Sequence, residues 1–441
     1  MAFDAERLAA TLSEIDGQWR QAQLCVALSG GMDSTVLLHA MSALARDGGV
    51  ALRALHVDHG LEPASAAWAE HCRRLCGAYH VPLEMKALAL TPPPGASLEA
   101  TAREARYAVL AQNLAPEEWL LTAHHRDDQL ETVLIQLLRG AGVAGLAAMP
   151  RRARLGAGWH VRPLLDVDRD CLARYAAAHA LAWIEDPTNL AERFDRGWLR
   201  SRVLPAIRAR WPAAAATVAR SASHLAQASR VLSELAESDA RDVLDSGRLS
   251  ISALARLSQD RQINLLRWWL RREGLRPPAA VRLSSALPSL FTPRQDAQPT
   301  LRWEGGELRR YRGRLYALAF LPAQPPAAEV DAGDFLDLGP GLGRFGLLAG
   351  DEGGLPPAAR AAIRFRGGGE SLKPHPARPR KRLKDLCQEA GIVPWMRDCL
   401  PLVYVADRLA AVGDLWLDAD LAVPPGQPSL KPVWSGRPQL F

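Results

Sequence analysis

Residues 23–34 read QLCVALSGGMDS, and this stretch decides the fold of the N-terminal part of the chain. A short apolar run ends in the sequence SGG at 29–31, and apolar residues at helical spacing follow over 33–46. Two glycines allow a sharp turn and a close approach of the backbone to a ligand. The unpaired N–H groups at the helix start would attract an anion, to which Ser29 and Ser34 can also donate hydrogen bonds. The stretch therefore predicts a phosphate-binding turn between a buried strand and a helix.

Asp33 is the residue of this turn whose role the pattern leaves open. A carboxylate repels a bare phosphate, so Asp33 indicates either a bound divalent cation or, together with Ser34, a cap on the following helix. The turn contains no lysine, which distinguishes it from the G-x-x-x-x-G-K-[ST] loop, and its glycine spacing differs from G-x-G-x-x-G.

The pattern of strand and helix repeats up to residue 139. The predicted strands are 23–30, 52–59, 83–90 and 117–124, and the predicted helices are 33–46, 62–79, 97–112 and 126–139. Strands that alternate with helices at this spacing are typical of a parallel sheet covered on both faces. The predicted fold class is therefore α/β, with a parallel, doubly wound sheet.

Breaks in this pattern predict three domains, which agrees with a chain of 441 residues. Glycine-rich residues 140–150 end the alternation, and residues 150–158 and 274–280 mark further breaks. The signals are almost all helical over 168–275, strand-like over 300–321 and 334–349, linker-like over 323–329, and mixed over 360–418. We therefore predict an α/β domain over 1–150, a mainly helical domain over 151–325 that ends in short strands, and a small α+β domain over 330–441.

The composition is that of a globular protein and excludes several other classes. Hydrophobic residues make up 48% and charged residues 23%, so the chain can bury a core and is not mainly disordered. No apolar run approaches the ~20 residues of a membrane-spanning helix, and the acidic, helical N-terminus is unlike a signal peptide. The six cysteines include no C-x-x-C, which favours a reducing cytoplasm over a disulfide framework. The net charge of +6 is compatible with a polyanionic partner but does not require one.

Two pairs of polar residues on predicted elements are candidates for a ligand site. Asp58 and His59 end the second strand, at the edge where open α/β sheets bind ligands, although a solvent-facing pair would give the same pattern. Arg103 and Arg106 lie three residues apart on one face of the third helix. An ordinary ion pair with Glu99 would explain Arg103, whereas a paired arginine face would stabilise charge on a phosphate.

The segment after the fourth strand concentrates residues that could carry chemistry. His124, Asp128 and Glu131 are predicted to share one face of a helix, because their spacings are four and three residues. Asp127 and Asp128 would also be favoured near a helix start by the helix dipole alone. The functional interpretation is Mg²⁺ coordination by carboxylates, binding of an amine, and acid/base work by His124 or His125.

A basic stretch near the C-terminus is the candidate nucleic-acid interface. Its cations flank a Gly367-Gly368-Gly369 turn and can neutralise several phosphates. They are Arg364, Arg366, Lys373, Arg378, Arg380, Lys381, Arg382 and Lys384. A solvated surface would give a similar run of charges.

Several of these motifs together resemble one family. SGGMDS (29–34) is similar to the PP-loop of the N-type ATP pyrophosphatases, which split ATP between its α- and β-phosphates. Further segments narrow the resemblance to the tRNA(Ile)-lysidine synthetase family. They are HVDHG (56–60), LEATAREARY (98–107), TAHHRDDQLET (122–132), DPTN (186–189) followed by Arg200, and KRLKDL (381–386) followed by Pro394-Trp395. The family often has Asn where Asp58 stands, and residues 205–360 carry little that matches.

The resemblance implies an activity and a set of site residues. The family joins lysine to C2 of the wobble cytidine of isoleucine tRNA with a CAU anticodon, through a cytidine adenylated by ATP. The implied ligands are therefore ATP, Mg²⁺, free L-lysine and tRNA, and the oligomeric state stays open, with a dimer as one option. The implied catalytic residues are Asp33, Arg103, His124, His125, Asp128 and Glu131. The implied ATP-binding residues are Ser29, Gly30, Gly31, Met32, Asp33, Ser34, Asp58, His59 and Arg106, the Mg²⁺ ligands are Asp33, Asp127 and Asp128, and the basic stretch would bind tRNA.

Three other functions are compatible with parts of the sequence. tRNA thiolation by a relative with the same fold would need catalytic cysteine pairs or C-x-x-C motifs that hold a cluster, and the chain has neither. A metal-dependent phosphohydrolase built on His124, His125, Asp127 and Asp128 would not need SGGMDS. A non-catalytic RNA-binding protein would need neither SGGMDS nor HHRDDQLET.

Overall fold

The computed structural model describes residues 2–58, 65–88, 98–185, 192, 194–292, 299–319, 324–357, 361–438 and 440. The chain forms two compact units, Met1–Glu234 and Leu235–Phe441. Within the described residues, no helix combines the length and the apolar character that crossing a membrane requires.

The first unit is built on one six-stranded sheet with the strand order β3-β2-β1-β4-β6-β5. Its strands are β1 (Leu24–Ala27), β2 (Leu52–Asp58), β3 (Leu83–Ala87), β4 (Trp119–Leu121), β5 (Arg152–Leu155) and β6 (Gly158–Val161). All neighbours pair in parallel except β5, which is antiparallel to β6. The predicted α/β class with a parallel sheet is therefore confirmed.

Helices cover both faces of this sheet. The helices up to residue 243 are α1 (Ala5–Ile15), α2 (Met32–Gly48), α3 (Ser65–Ala78), α4 (Leu98–Gln112), α5 (Arg126–Leu138), α6 (Val143–Leu146), α7 (Arg169–Ala178), α8 (Asp195–Trp198), α9 (Leu204–Arg210) and α10 (Ala214–Val243), with a 3-10 turn at Trp19–Gln21 and a π-helix at Leu199–Val203. The last of them, α10, begins in the first unit and ends in the second. Alternate residues of β1 serve opposite faces: Val26 packs in the core with Leu37 of α2, and Cys25 packs in a second core with Leu110 of α4. The predicted strands and helices of residues 23–139 are all present.

Residues 150–158 were predicted to be a break, and this prediction is wrong, because they contain β5 and the first residue of β6. The Arg152 guanidinium lies 4.8 Å from the ring centroid of Trp119 and 3.9 Å from that of Trp159, and it pairs with Asp16 at 2.9 Å. Stacking on aromatic rings and an ion pair let an arginine-rich segment join the sheet. The predicted domain limit at residue 150 thus falls between β4 and β6, which are neighbours in one sheet.

The second unit consists of small antiparallel sheets and short helices. Its strands are β7 (Leu244–Asp245), β8 (Arg248–Ser250), β9 (Thr300–Trp303), β10 (Gly306–Tyr311), β11 (Arg314–Leu318), β12 (Ala328–Val330), β13 (Phe335–Asp337), β14 (Arg344–Gly350), β15 (Ala361–Arg364), β16 (Ser371–Leu372), β17 (Lys381–Arg382), β18 (Leu402–Val405), β19 (Arg408–Val412), β20 (Trp416–Leu417) and β21 (Ser429–Ser435). Its helices are α11 (Ile251–Leu254), α12 (Gln259–Arg272), α13 (Ala280–Phe291) and α14 (Leu383–Glu389), with a 3-10 helix at Pro394–Cys399. The sheets have the orders β7-β8-β11-β10-β9, β12-β15-β18-β19-β20, β13-β14-β21 and β16-β17.

The predicted strands at 300–321 and 334–349 and the mixed segment after 360 are confirmed. The hairpin of β7 and β8 was missed inside the segment predicted to be helical, because strands of two and three residues are too short to show alternation. Leu383 and Leu386 of α14 are buried in the core of the last sheets, so the basic stretch around them is attached to a fixed surface.

Candidate functional site

The turn at 29–34 joins β1 to α2 and is held by serine hydroxyls. Ser29 Oγ and Ser34 Oγ are 3.0 Å apart, and Ser34 Oγ donates to the Gly31 carbonyl at 3.0 Å. Gly30 has a φ of +83°, and a Cβ there would lie 3.2 Å from Cys72 Sγ, so this position needs glycine. α2 begins at Met32 with Gly31 as its N-cap, so the alternative in which Asp33 caps the helix is not what the structure shows.

Side chains from the starts of α2 and α5, the helices that follow β1 and β4, meet beside this turn. His125 Nε2 lies 3.6 Å from Asp33 Oδ2 and 3.5 Å from Asp128 Oδ2, and the His125 backbone N–H donates to Asp128 Oδ2 at 2.9 Å. Burial by itself would lower the pKa of His125, but its hydrogen bond with Asp33 and the charges of the nearby carboxylates outweigh burial, so that this pKa is raised. Asp33 Oδ1 is buried and has no hydrogen-bond partner within the described part of the chain.

Arg200, on the π-helix, binds the carboxylates of α5. Its Nε donates to Glu131 Oε1 at 2.6 Å, and its Nη2 donates to Glu131 Oε2 at 3.0 Å and to Asp128 Oδ1 at 3.1 Å. Burial raises the pKa of Glu131, which is 1% exposed. Asp128 is also buried, but the neighbouring His125, His124 and Arg200 together lower its pKa. The sequence motifs included Arg200 but gave it no role.

The predicted Mg²⁺ ligands differ in how far their oxygens are already engaged. Asp127 Oδ1 lies 2.7 Å from Arg208 Nη2, and Asp128 Oδ1 accepts from Arg200, whereas Asp33 Oδ1 is unengaged. The described residues contain no group of three or more His, Cys, Asp or Glu side chains that could hold a metal ion by themselves. The carboxylates therefore do not form an all-protein cage.

His124 does not lie where the helical spacing predicted. α5 begins at Arg126, so His124 precedes the helix and cannot share a face of it with Asp128 and Glu131; that prediction is wrong. His124 lies in the short segment between β4 and α5, and its Nδ1 is 2.8 Å from Thr122 Oγ1. Burial, together with the nearby cations Arg162 and Arg103, keeps the pKa of His124 well below its usual value.

Arg103 and Arg106 of α4 have no carboxylate partner among the residues that the structure describes, which do not include the side chain of Glu99. The Arg103 guanidinium lies 5.1 Å from the ring centroid of Tyr107, and its charge is close enough to lower the pKa of His124. Burial lowers the pKa of Arg106. Asp58 ends β2 and is half-buried, whereas His59 and the DPTN motif at 186–189 lie outside the described residues.

The basic stretch divides into paired and unpaired cations. The paired ones are Arg364 with Asp407 (2.6 Å), Arg366 with Asp398 (3.3 Å), Lys373 with Asp420 (2.9 Å), Arg380 with Asp418 (2.8 Å) and Lys381 with Glu389 (2.7 Å). Arg378, Arg382 and Lys384 are exposed and have no carboxylate partner among the residues that the structure describes. The cations free to meet a polyanion are therefore fewer than the sequence suggested.

The fold and the glycine turn define a PP-loop protein, and family models agree. Residues 4–207 match a model described as PP-loop domain, residues 249–316 one described as TilS substrate binding domain, and residues 361–434 one described as TilS substrate C-terminal domain. A solved structure of the U34-tRNA thiolase NcsA from Methanococcus maripaludis is also similar, with 16% identity and a TM-score of 0.43 over 50% of this chain and 77% of that chain. These values are too low to bear on activity.

Relatives of nearly full length narrow the class to one family. The chain is 42% identical to the tRNA(Ile)-lysidine synthase of Coxiella burnetii, over 89% of this chain and 88% of that protein. It is 43% identical to the tRNA(Ile)-lysidine synthase of Pseudomonas aeruginosa, over 90% of this chain and 91% of that protein. This chain therefore belongs to the tRNA(Ile)-lysidine synthase family.

Proposed function

We propose that this chain is an ATP-dependent ligase that joins free L-lysine to C2 of the wobble cytidine of isoleucine tRNA with a CAU anticodon. The product is lysidine, which changes decoding from AUG to AUA. Besides family membership, the observation that carries the proposal is the meeting of Asp33, His125 and Asp128 beside the glycine turn. A nucleotide phosphate and an amine would then bind at the same edge of the sheet.

The glycine turn would hold the triphosphate of ATP. The N–H groups at the start of α2 and the hydroxyls of Ser29 and Ser34 are the donors for phosphate oxygens. Asp33 fits a Mg²⁺ ion, because its Oδ1 is buried without a partner and Mg²⁺ is usually bound by one or two carboxylates together with phosphates. The ion would neutralise charge on the triphosphate. Arg103 and Arg106 would stabilise the charge that develops on the α-phosphate.

The reaction that these groups would promote has two steps. In the first, the cytidine O2 attacks the α-phosphorus and pyrophosphate leaves. In the second, the side-chain amine of lysine attacks C2, and the C2–O2 bond breaks to release AMP. The protein must hold both substrates in line and take a proton from the lysine ammonium.

Asp128 and Glu131 would bind that ammonium. Each carboxylate oxygen that accepts a hydrogen bond from Arg200 retains a second lone pair, so Arg200 positions the carboxylates without blocking them. Of the two histidines predicted for acid/base work, His125 is the one within 3.5 Å of Asp128. We therefore assign the transfer of the amine proton to His125 and not to His124.

The second unit would bind the tRNA through its unpaired cations. Arg378, Arg382 and Lys384 lie on and beside the β16–β17 hairpin and the start of α14, where they are free to contact phosphates. The six cysteines are all free and buried, which supports our placement of the protein in a reducing cytoplasm.

Incorporation of labelled lysine into isoleucine tRNA tests the proposal. The purified chain is incubated with tRNA, ATP and labelled lysine, and in parallel with labelled cysteine or sulfide, and digested nucleosides are separated. We expect lysine label in cytidine only with ATP, together with equal amounts of AMP and pyrophosphate. Sulfur incorporation would instead establish the thiolation alternative, and release of inorganic phosphate without tRNA would establish a phosphohydrolase.

A further inference from the structure

Four polar side chains form a continuous chain of hydrogen bonds behind the site. Arg162 Nη2 lies 2.9 Å from His160 Nδ1, His160 Nε2 lies 2.8 Å from Thr122 Oγ1, and Thr122 Oγ1 lies 2.8 Å from His124 Nδ1. His160 lies on β6, Thr122 and Arg162 directly follow β4 and β6, and all three are buried. Of these four residues, the sequence analysis gave a role only to His124; Thr122 stood in a family motif without a role, and His160 and Arg162 are additions to the site.

The direction of each hydrogen bond follows from Arg162. A guanidinium can only donate, so His160 Nδ1 must be the acceptor. Burial and the neighbouring arginines lower the pKa of His160 to about 3, so its ring is neutral and carries its one proton on Nε2. His160 therefore donates to Thr122 Oγ1, which is the acceptor of this hydrogen bond.

Thr122 then has to donate to His124. A hydroxyl has one proton, and within the described residues the Thr122 oxygen meets only the two histidine nitrogens. If Thr122 accepted from both rings, its own proton would be buried without an acceptor, which costs about 1–3 kcal/mol. His124 Nδ1 is consequently the acceptor of the last bond.

We propose that this series of hydrogen bonds fixes His124 as the tautomer with its proton on Nε2. His124 thereby becomes a hydrogen-bond donor to the reacting phosphate. Burial and nearby cations keep the ring neutral, as described above, and Nε2 has no partner among the residues described. This role rests on the proposed function: the Nε2–H of His124 would stabilise a phosphoryl oxygen that gains charge while the cytidine attacks ATP. Thr122 acts through His124 and is a positioning residue.

Nitrogen NMR of the histidines tests the tautomer directly. The full chain is labelled with ¹⁵N-histidine, and the His124 signals are assigned by their loss in His124→Asn. At neutral pH we expect a protonated Nε2 and an unprotonated Nδ1 in His124. A protonated Nδ1 would overturn the proposal. The tautomer is read in the wild-type protein, and the His124→Asn variant serves only to assign the signals.

Variants of Thr122 connect the tautomer to the reaction. Thr122→Val removes the donor and should give a mixture of both tautomers, with adenylation of tRNA slowed about tenfold and ATP affinity unchanged. Thr122→Ser keeps the hydroxyl and should restore both the single tautomer and the rate. Arg162→Met should also mix the tautomers of His160. If Thr122→Val has the same His124 tautomer and the same adenylation rate as the wild type, the proposal is contradicted. If the wild-type protein shows the expected tautomer but incorporates no lysine, only the proposed function is contradicted.

Discussion

Replacing Arg200 by methionine tests whether this arginine holds the acidic pair of α5 in place. The change leaves Glu131, whose side chain is 2% exposed, without its ion-pair partner, and it removes a hydrogen bond to Asp128. Removing one partner of a buried ion pair typically costs about 3–5 kcal/mol. Because the Arg200 side chain is itself 29% exposed, water replaces part of the interaction, and the low end, about 3 kcal/mol, is the expected cost.

Hydrogen exchange of α5 measures this cost in the intact protein. A loss of about 3 kcal/mol corresponds to roughly a hundredfold faster amide exchange in a peptide that covers α5. Arg202→Met is the matched control on the same π-helix, because Arg202 and its partner Glu192 are 65% and 45% exposed. An exposed pair of this kind contributes about 0–1 kcal/mol, so the control should exchange almost like the wild type.

A second variant separates the ion pair from the loss of packing. In Arg200→Met/Glu131→Leu no charge is left unpaired at Glu131, so α5 should regain more than half of its protection. The reasoning is refuted if Arg200→Met exchanges no faster than Arg202→Met, or if the double variant is as unprotected as the single one.

Three further predictions concern ATP and tRNA. Asp33→Asn removes the unengaged carboxylate and should reduce pyrophosphate release at least a hundredfold at every Mg²⁺ concentration, with the fold intact by circular dichroism. Gly30→Ala forces a side chain into a left-handed conformation 3.2 Å from Cys72 Sγ, so it should lower stability by about 1–2 kcal/mol and raise the KM for ATP. Replacing Arg378, Arg382 and Lys384 by Ala should weaken tRNA binding at least tenfold, while ATP affinity stays the same. The slope of the logarithm of the tRNA-binding constant against the logarithm of salt concentration should become shallower by about two.

Each of these has an outcome that would contradict it. Retained pyrophosphate release in Asp33→Asn would mean that another residue holds the metal. An unchanged KM in Gly30→Ala would remove the turn from the nucleotide site. For the basic stretch, Arg364→Ala is the control, because Arg364 is paired with Asp407; an equal loss of tRNA affinity in this control would show that pairing does not decide which cations bind.

The order of strands and helices up to residue 139 could be read from the sequence because each element is long enough to show its own period. The segment around β5 could not, because Arg152 lies on Trp159 of the neighbouring strand and on Trp119, which is 33 positions earlier in the chain. His124 was misplaced for a different reason. The helical spacing was extended back to His124, although the helix was predicted, and is observed, to begin at Arg126.

Local spacing and contiguous motifs were enough to predict the four parallel strands up to residue 124, the glycine turn and the family. Which charges are engaged became visible only in the folded structure. It brings Arg200 to Glu131 across 69 positions of the chain, leaves Asp33 Oδ1 without a partner, and pairs Arg380 with Asp418 while Lys384 stays free. The physical reason is that a side chain's charge and proton depend on the atoms within a few ångströms of it, and folding draws those atoms from distant parts of the sequence.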